Sequence, residues 1–315
     1  MAVPKLKTAI QTLGHTQALK DGSVKPHSFE FEFEEVPAII DAFRRMVRGS
    51  EFDISEMAIT TYLCARAAGK RFTALPIFLV RAFHHGAIVH NTTLGIRSPK
   101  DLEGRKVGVN RGYTVTTGVW ARGVLQHEHG VDLSKINWVL SGDEHVAEYR
   151  APANVQPIEK GRKMEDMLIS GELAAATGVK LEHPDVQPLI PHARQAGFAA
   201  LRASGYYPIN HLLVVRDELL EAQPGLAREI FEVFAQAKRR YVECLKSGSI
   251  AEPSAADQLY AGVMDITGAD PLPYGVEANR QMLETVIRYA GEQGIISQPF
   301  SVEELFARGT HELLG

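Results

Sequence analysis

Apolar and charged residues follow two different rhythms along the first 80 residues of the chain. Residues 29–35 alternate strictly between apolar and charged side chains, as a half-buried β-strand does. Between residues 38 and 47 the apolar positions recur at helical spacing, and Gly49 ends the run. The same criteria predict four further elements: a strand at 6–13, a strand at 52–55, a helix at 60–68 and a strand at 73–80. This alternation predicts a parallel sheet flanked by helices.

A second run of alternating elements starts after residue 90. Residues 106–110 form a predicted strand, a turn leads into a helix, and residues 136–140 form the next strand. Residues 211–215 form an apolar strand that we expect to return to the first lobe, and the remainder is mostly helical.

Together these patterns predict an α/β fold of two lobes, each a mostly parallel sheet flanked by helices. The expected boundaries are 1–90 and 208–315 for the first lobe and 91–207 for the second. A ligand cleft between the lobes is the default site of such a hinged architecture.

Composition excludes several classes of partner. The 315 residues are 45% hydrophobic, which is enough to bury two moderate cores. The net charge of −4 argues against a surface that binds nucleic acid. Two cysteines in apolar, helical surroundings do not indicate a disulfide framework. Residues 1–13 lack a signal-length apolar run, and no later segment reaches membrane-spanning length. We therefore expect a cytoplasmic protein, although a chain whose leader had been removed would look the same.

The segment 52–57 places Ser55 and Glu56 between a predicted strand and a predicted helix. The amides of a first helical turn lack intrahelical partners, so such a turn binds carboxylates. Ser55 is therefore a candidate substrate ligand and Glu56 a candidate catalytic group. The alternative is that Ser55 only caps the helix and Glu56 only complements its dipole.

Arginine and histidine cluster where the chain is expected to cross between the lobes. Arg81, His84 and His85 lie at the first crossover, and His211 enters a strongly apolar strand at the second. Arginine binds a carboxylate through two charge-assisted hydrogen bonds, and histidine exchanges protons near neutral pH. The alternative is a surface arginine, with histidines that are hydrogen-bonded within the protein.

The turn and helix start at 110–117 combine a glycine with several hydroxyl groups. Glycine lets the backbone approach a ligand, and the first helical turn supplies amides, so the segment is predicted to cradle an anion. The terminal lysine of a phosphate loop is absent. A plain helix start is the alternative. The candidate ligands here are Arg111, Tyr113, Thr114, Thr116 and Thr117. Tyr207 is a further candidate for stacking on an aromatic ligand, although tyrosines near turns also serve packing.

At this point the motifs resemble a known family over most of the chain. Residues 101–109, Asp-Leu-Glu-Gly-Arg-Lys-Val-Gly-Val, resemble the periplasmic-binding-protein type II superfamily. Narrower segments resemble the cytoplasmic 4,5-dihydroxyphthalate decarboxylase family within it: Phe-Asp-Ile-Ser-Glu-Met at 52–57, Arg-Ala-Phe-His-His at 81–85, Val-Trp-Ala-Arg-Gly-Val-Leu at 119–125 and Gly-Tyr-Tyr-Pro-Ile-Asn-His at 205–211. The chain departs from the family pattern at His84, at Gly86 and in the 110–113 turn.

The resemblance implies a cofactor-independent decarboxylase of a hydroxylated aromatic carboxylate, converting 4,5-dihydroxyphthalate to protocatechuate and carbon dioxide. Such chemistry needs a proton donor, a base for the phenol and cations for the remaining carboxylate, and no redox cofactor. No residue is singled out as a metal ligand, and assistance by a divalent metal stays open at this stage. The implied catalytic residues are His85, His211 and Glu56. One histidine is the donor, and the other acts with Glu56 as base or orienter. Arg81 and the 114–117 turn are expected to hold the carboxylate.

Two alternative functions stay open at this stage. One is a non-catalytic solute-binding protein for an aromatic or other small organic anion, and the other is a biosynthetic enzyme of the same fold. In each case the expected partner is a small anionic molecule, not nucleic acid or a membrane. The sequence is also compatible with a homo-oligomer.

Overall fold

The chain folds into two compact units in the computed structural model, which describes residues 3–315. The first unit comprises residues up to Ala82, Ile209–Thr285 and Phe300–Gly315. The second comprises Phe83–Pro208 and Val286–Pro299. Residues 1 and 2, which the prediction assigned to the first lobe, lie outside the described residues.

The strands of the described residues, in chain order, are β1 (Lys5–Ala9), β2 (Glu30–Phe33), β3 (Ile54–Ala58), β4 (Phe72–Arg81), β5 (Ile88–Asn91), β6 (Lys106–Val109), β7 (Asn137–Leu140), β8 (Val155–Pro157), β9 (Ala175–Thr177), β10 (Val186–Pro188) and β11 (Ile209–Arg216). The α-helices are α1 (Gln17–Lys20), α2 (Ile39–Gly49), α3 (Ile59–Ala67), α4 (Thr116–His129), α5 (Met164–Ile169), α6 (Ala193–Ser204), α7 (Asp217–Ala222), α8 (Leu226–Ser247), α9 (Ala255–Thr267) and α10 (Arg280–Glu292).

Each unit is built on one mostly parallel sheet, as the pattern predicted. Within residues 3–315 the first unit has the strand order β2-β1-β3-β11-β4, in which only β11 runs against the others. The second unit has the order β10-β5-β9-β6-β7-β8, in which only β5 is reversed. Helices cover these sheets, so the predicted α/β fold class is confirmed.

The core of the first unit lies between its sheet and helix α8. Leu75, Ile77 and Leu79 of β4 are fully buried and pack in one cluster with Ile230 and Phe234 of α8. Burying each such side chain stabilises the fold by about 1.5–3 kcal/mol. These contacts bury β4 up to Leu79, two residues before the candidate residue Arg81 at the end of the strand.

The core of the second unit joins β6 and β7 to helix α4. Val107 and Val109 of β6 and Trp138 of β7 are buried with Ala121 and Leu125 of the helix. Strand β6 also pairs in parallel with β9. The carboxyl ends of these two strands therefore meet at one edge of the sheet, where ligands bind in open α/β sheets.

Residues 286–299 belong to the second unit, whereas the predicted boundary put all of 208–315 in the first lobe. The physical reason is specific packing against α4. The ring of Tyr289 meets that of Trp120 edge to face at 5.5 Å, and Gln293 accepts a 2.8 Å hydrogen bond from Arg122. A local hydropathy pattern does not reveal such distant contacts.

The predicted strand at 52–55 is displaced toward the carboxyl terminus. Strand β3 continues to Ala58 because Glu56, Met57 and Ala58 pair with β11. Ala58 and not Ser55 is the residue that precedes helix α3, so the prediction of Ser55 as a helix cap is wrong. Within the described residues, no helix combines the length and the hydropathy needed to cross a membrane.

Candidate active site

A glutamate and a histidine form a hydrogen-bonded pair on the sheet of the first unit. His211 of β11 stands opposite Ala58, and Leu213 stands opposite Glu56, so the two polar side chains share one face of the sheet. His211 Nδ1 lies 2.6 Å from Glu56 Oε1. The antiparallel pairing of β3 with β11 thus creates the pair.

Glu56 is fully buried and remains ionised. The Gln11 backbone N–H donates to Oε2 at 2.9 Å, and the Gln11 side-chain amide donates to Oε1 at 2.7 Å. Burial acts to raise the pKa of Glu56, but the hydrogen bond and charge of His211 and the two Gln11 bonds outweigh it, so the pKa is lowered. The site therefore holds a fixed negative charge behind His211.

The imidazole of His211 is oriented from two sides and is partly open. Its ring meets Phe43 edge to face at 5.0 Å, and 17% of the side chain is exposed. Because Nδ1 is engaged by Glu56, Nε2 is the nitrogen left for a substrate. A carboxylate behind an imidazole fixes its orientation and stabilises the imidazolium, which suits the pair to general acid–base chemistry.

His15 is a second histidine close to Glu56. His15 lies in the loop between β1 and α1 and is fully buried, with its ring 5.8 Å from that of Tyr241, and among residues 3–315 neither ring nitrogen makes a hydrogen bond of ordinary geometry. Burial lowers the pKa of His15 from 6.5 to about 4, although Glu56 raises it and Lys238 lowers it further. His15 is therefore neutral at pH 7.

Arg81 and Ser55, two predicted substrate ligands of the first unit, are buried. Arg81 is the last residue of β4 and stands opposite Ile209, which lies two residues before His211 in β11. Arg81 Nη2 donates a 2.5 Å hydrogen bond to Asn279 Oδ1. The Ser55 hydroxyl donates to the Glu56 carbonyl at 2.8 Å inside the sheet. Ser55 is fully buried, and its contact with a ligand stays a prediction. Arg81 remains a cation on the strand beside β11.

The other predicted catalytic histidine, His85, belongs to the second unit. Its Nε2 lies 3.0 Å from Glu128 Oε2 on helix α4, and its ring packs edge to face on Tyr206. The ring is buried, and its Nδ1 has no hydrogen-bond partner in the part of the chain that the structure describes. The neighbouring His84 is buried as well. His85 thus has a glutamate partner of its own and no hydrogen bond to Glu56.

The predicted anion segment borders a cavity of about 290 Å³ in the second unit. The turn after β6 contributes Arg111, the first turn of α4 contributes Thr117 and Gly118, and the turn after β9 contributes Gly178 and Lys180. Two cations and the start of a 14-residue helix, whose first amides lack intrahelical partners, thus surround one small space. The arrangement suits a carboxylate.

The remaining predicted ligands of the second unit do not line this cavity. Tyr113 lies in the core, where the Arg122 guanidinium stacks 3.8 Å from its ring. Thr114 donates its hydroxyl to Glu144 at 2.7 Å, and Thr116 is buried in the first turn of α4. Tyr207 packs on Phe83 with ring centroids 5.4 Å apart. This contact is of the kind expected from the packing alternative, and stacking of Tyr207 on a ligand stays a prediction.

A larger cavity of about 860 Å³ lies at the opposite end of the strands that carry Arg81 and His211. Its lining includes Thr73 near the start of β4 and Asp217 just beyond β11, with charges of both signs around them. None of the predicted site residues reaches it. Across residues 3–315 no group of three or more His, Cys, Asp or Glu side chains is arranged to hold a metal ion.

Several residues of these sites were missed by sequence reasoning: Gln11, His15, Glu128, Glu144 and Lys180. The parallel pairing of β1 with β3 brings the loop after β1 next to Glu56, and that of β6 with β9 brings Lys180 next to Arg111. Parallel neighbours in the predicted sheet were therefore a usable signal for three of them. Glu128 and Glu144 gave none, since a glutamate in a helix or a surface loop is ordinary.

Comparison with known proteins gives two curated relatives with the same name. The chain is 28% identical, over an alignment of 325 positions, to a 4,5-dihydroxyphthalate decarboxylase of Comamonas testosteroni, covering 97% of both proteins. It is 32% identical over 180 residues to that of Pseudomonas putida, covering 53% of this chain and 69% of the relative. No protein-family model matches the chain.

Solved structures match almost the whole chain at low identity. The periplasmic aliphatic sulphonate binding protein SsuA of Escherichia coli matches with a TM-score of 0.53 and 12% identity, over 99% of this chain and 100% of SsuA. The desulfurization enzyme DszB matches with a TM-score of 0.54 and 14% identity, over 98% and 97%. The fold is thus that of the SsuA-like, type II periplasmic binding proteins, as the sequence predicted. The chain itself is an enzyme of the decarboxylase class and belongs to the 4,5-dihydroxyphthalate decarboxylase family.

Proposed function

We propose that this protein decarboxylates a hydroxylated aromatic carboxylate, with 4,5-dihydroxyphthalate as the substrate, and that His211 delivers the proton. One observation carries the proposal. A buried, ionised Glu56 holds Nδ1 of a partly exposed His211 in a chain of a decarboxylase family. A buried carboxylate with no chemical task is costly, which favours a functional role for the pair.

The chemistry fits a single proton donor. In 4,5-dihydroxyphthalate each carboxylate is attached to a ring carbon para to a hydroxyl group. Electron density from the hydroxyl, or its phenolate, allows that carbon to take the proton from His211 Nε2. The carbon–carbon bond then breaks, carbon dioxide leaves, and the bonding electrons restore the aromatic ring. Glu56 stabilises the imidazolium before the transfer, and solvent reprotonates His211 afterwards.

The anion cavity of the second unit is proposed to bind a carboxylate. Arg111 and Lys180 supply two positive charges, and the first turn of α4 supplies amides. Arg81, on the strand beside β11, is proposed to add positive charge on the side of the dyad. Charge-assisted hydrogen bonds contribute roughly 1.5–3 kcal/mol each, so two such contacts supply roughly 3–6 kcal/mol, which corresponds to a dissociation constant between several millimolar and tens of micromolar.

The direct test incubates the purified protein with 4,5-dihydroxyphthalate and follows both carbon dioxide and the aromatic product. We expect one carbon dioxide for each protocatechuate formed. Phthalate, which lacks the hydroxyl groups, is the matched control and is expected to bind without turnover. If 4,5-dihydroxyphthalate also binds without releasing carbon dioxide, the protein is a solute-binding protein and the proposal fails.

Kinetics separate the binding residues from the proton donor. Lys180→Ala and Arg111→Ala are expected to raise KM about tenfold or more while kcat changes little, because they remove ground-state binding. Lys160→Ala removes an exposed lysine elsewhere in the second unit and serves as the matched control. An unchanged KM in both cavity variants would exclude this cavity as the carboxylate site.

A further inference from the structure

The turn predicted to cradle a substrate anion already holds a carboxylate of the protein. Glu144, on the loop after β7, accepts hydrogen bonds from three donors of this turn. The Tyr113 amide reaches Oε1 at 2.5 Å, and the Thr114 amide and hydroxyl reach Oε2 at 3.2 and 2.7 Å. Both carboxylate oxygens are therefore engaged.

Gly112 shows how closely the turn is fitted to its occupant. A Cβ atom at this position would lie 2.4 Å from Glu144 Oε2, well inside van der Waals contact. Only glycine, which has no Cβ, allows the carboxylate to approach this far. The glycine that suggested a substrate cradle is thus explained by Glu144.

The same loop fixes the backbone of Arg111. This residue has φ of +72°, a left-handed conformation that non-glycine residues seldom adopt without outside support. Ser141 Oγ accepts from the Arg111 amide at 2.8 Å, and the Gly142 amide donates to the Arg111 carbonyl at 3.3 Å. The loop 141–144 thus clamps the turn on both sides of Arg111.

The clamped residues lead directly into the anion cavity. Arg111 lines that cavity, and helix α4 starts two residues after Thr114. From the other side, Arg122 Nη2 donates to the Tyr113 carbonyl at 2.6 Å. Glu144 and Arg122 therefore hold opposite polar groups of one short segment, which leaves the segment little freedom.

We propose that Glu144 is a positioning residue for the anion cavity. Its carboxylate permanently occupies the Tyr113–Thr114 donors, and it thereby holds Arg111 and the first turn of α4 in a binding-competent arrangement. The substrate carboxylate uses the neighbouring cavity and not this cradle. The identity of the bound anion rests on the proposed function, whereas the occupancy of the cradle by a carboxylate does not.

Replacement of Glu144 by a free carboxylate tests the proposal. In Glu144→Ala we expect KM for 4,5-dihydroxyphthalate to rise about tenfold or more with kcat within about threefold, because Glu144 acts on binding and not on proton transfer. Sodium formate should lower the KM again and raise the melting temperature of the variant. Sodium chloride at equal ionic strength should do neither. Wild type should gain less stability from formate than the variant gains, because its cradle is already filled and only the neighbouring cavity can take formate.

Controls separate this inference from the proposed function. Glu165→Ala removes an exposed glutamate of helix α5 in the same unit and should behave as wild type. If wild type has no decarboxylase activity, the effect of formate on the melting temperature still tests whether a carboxylate occupies the Tyr113–Thr114 donors. If Glu144→Ala does not fold, Glu144→Gln carries the test, since it keeps one acceptor oxygen and should raise KM at least threefold. An unchanged KM in the variant that folds, or equal effects of formate and chloride, would overturn the proposal.

Discussion

Two histidines of this protein each pair with a glutamate, but the two pairs are built in opposite ways. In the first unit the carboxylate of Glu56 is fully buried and the imidazole of His211 is partly exposed. In the second unit His85 is buried and the carboxylate of Glu128 is 38% exposed. In the first pair, the buried Glu56 carboxylate holds Nδ1 of His211, and the partly exposed ring leaves Nε2 for a ligand. In the second pair, the Glu128 carboxylate is partly exposed to solvent, and Nδ1 of His85 is buried.

The contrast teaches that a histidine in a family motif does not by itself identify the proton donor. Sequence treats His85 and His211 as equivalent, since both belong to segments that resemble the decarboxylase family. Burial and hydrogen bonding favour His211 for proton transfer, and they favour a packing role for His85. The predictions below are designed to break or sharpen this distinction.

The largest effect is expected for His211→Gln. A positioned proton donor contributes roughly 10²- to 10⁴-fold in rate, so kcat should fall by about that factor while KM stays within several-fold. Steady-state kinetics together with a melting curve measure both quantities. A stable variant with wild-type kcat would remove His211 from the mechanism.

Glu56→Gln should have the next largest effect. Glutamine keeps the shape but loses the charge that stabilises the imidazolium, and we expect kcat to fall on the order of 10²-fold. The double variant with His211→Gln should lose little beyond His211→Gln alone, since the two residues act as a unit. Rate losses that simply multiply in the double variant would show that the residues work independently.

Acid should destabilise the first unit through His15. Its folded-state pKa of about 4 is below the unfolded value near 6.5, so the unfolded chain binds more protons between these values. The contribution of His15 to the free energy of unfolding is thus fully present above pH 6.5, and about 3 kcal/mol of it is lost as the pH falls to 4. The pKa of Glu56 is lowered in the folded protein, so protonation of this carboxylate also reduces the free energy of unfolding at the acid end of the pH range.

Urea unfolding at several pH values measures this decline. His15→Phe removes the titrating ring and is the control variant, which should show a flatter dependence between pH 6.5 and 4. The same slope in both proteins would assign the acid sensitivity to other groups.

The smallest effect on turnover is expected for His85→Gln. Loss of a buried hydrogen-bonded ring should lower stability by about 1–3 kcal/mol, and kcat of the folded protein should stay within about threefold. Glu128→Gln alters the same pair from its exposed side and should lower stability by less than about 1 kcal/mol. A kcat loss in His85→Gln as large as in His211→Gln would erase the proposed contrast.

The spacing of apolar residues predicted the helices and strands well, because an element with one buried face shows that spacing within its own sequence. The helix at 38–47 and the strand at 73–80 were found within two residues, since most of their apolar residues are buried in the first unit. The extension of β3 to Ala58 was missed because its partner β11 lies about 150 residues further along the chain. Local patterns carry no information about such a partner.

The candidate site was only partly predictable for the same reason. Glu56 and His211 were both singled out, but their hydrogen bond depends on the register of β3 with β11. Arg111 and Thr117 were expected near an anion and do line the cavity, whereas Glu144 fills the cradle expected for the substrate. A carboxylate supplied by the protein itself cannot be distinguished from a ligand by the pattern of donors alone.

The central claim is that His211 delivers the proton that replaces the carboxylate. Its most direct test is the single-turnover rate of carbon dioxide release by wild type and His211→Gln, measured in H₂O and in D₂O. We predict a slower wild-type reaction in D₂O, one deuterium on the ring carbon that loses the carboxylate, and a rate loss of about 10²-fold or more in the variant. Release of carbon dioxide by His211→Gln at the wild-type single-turnover rate would contradict the claim.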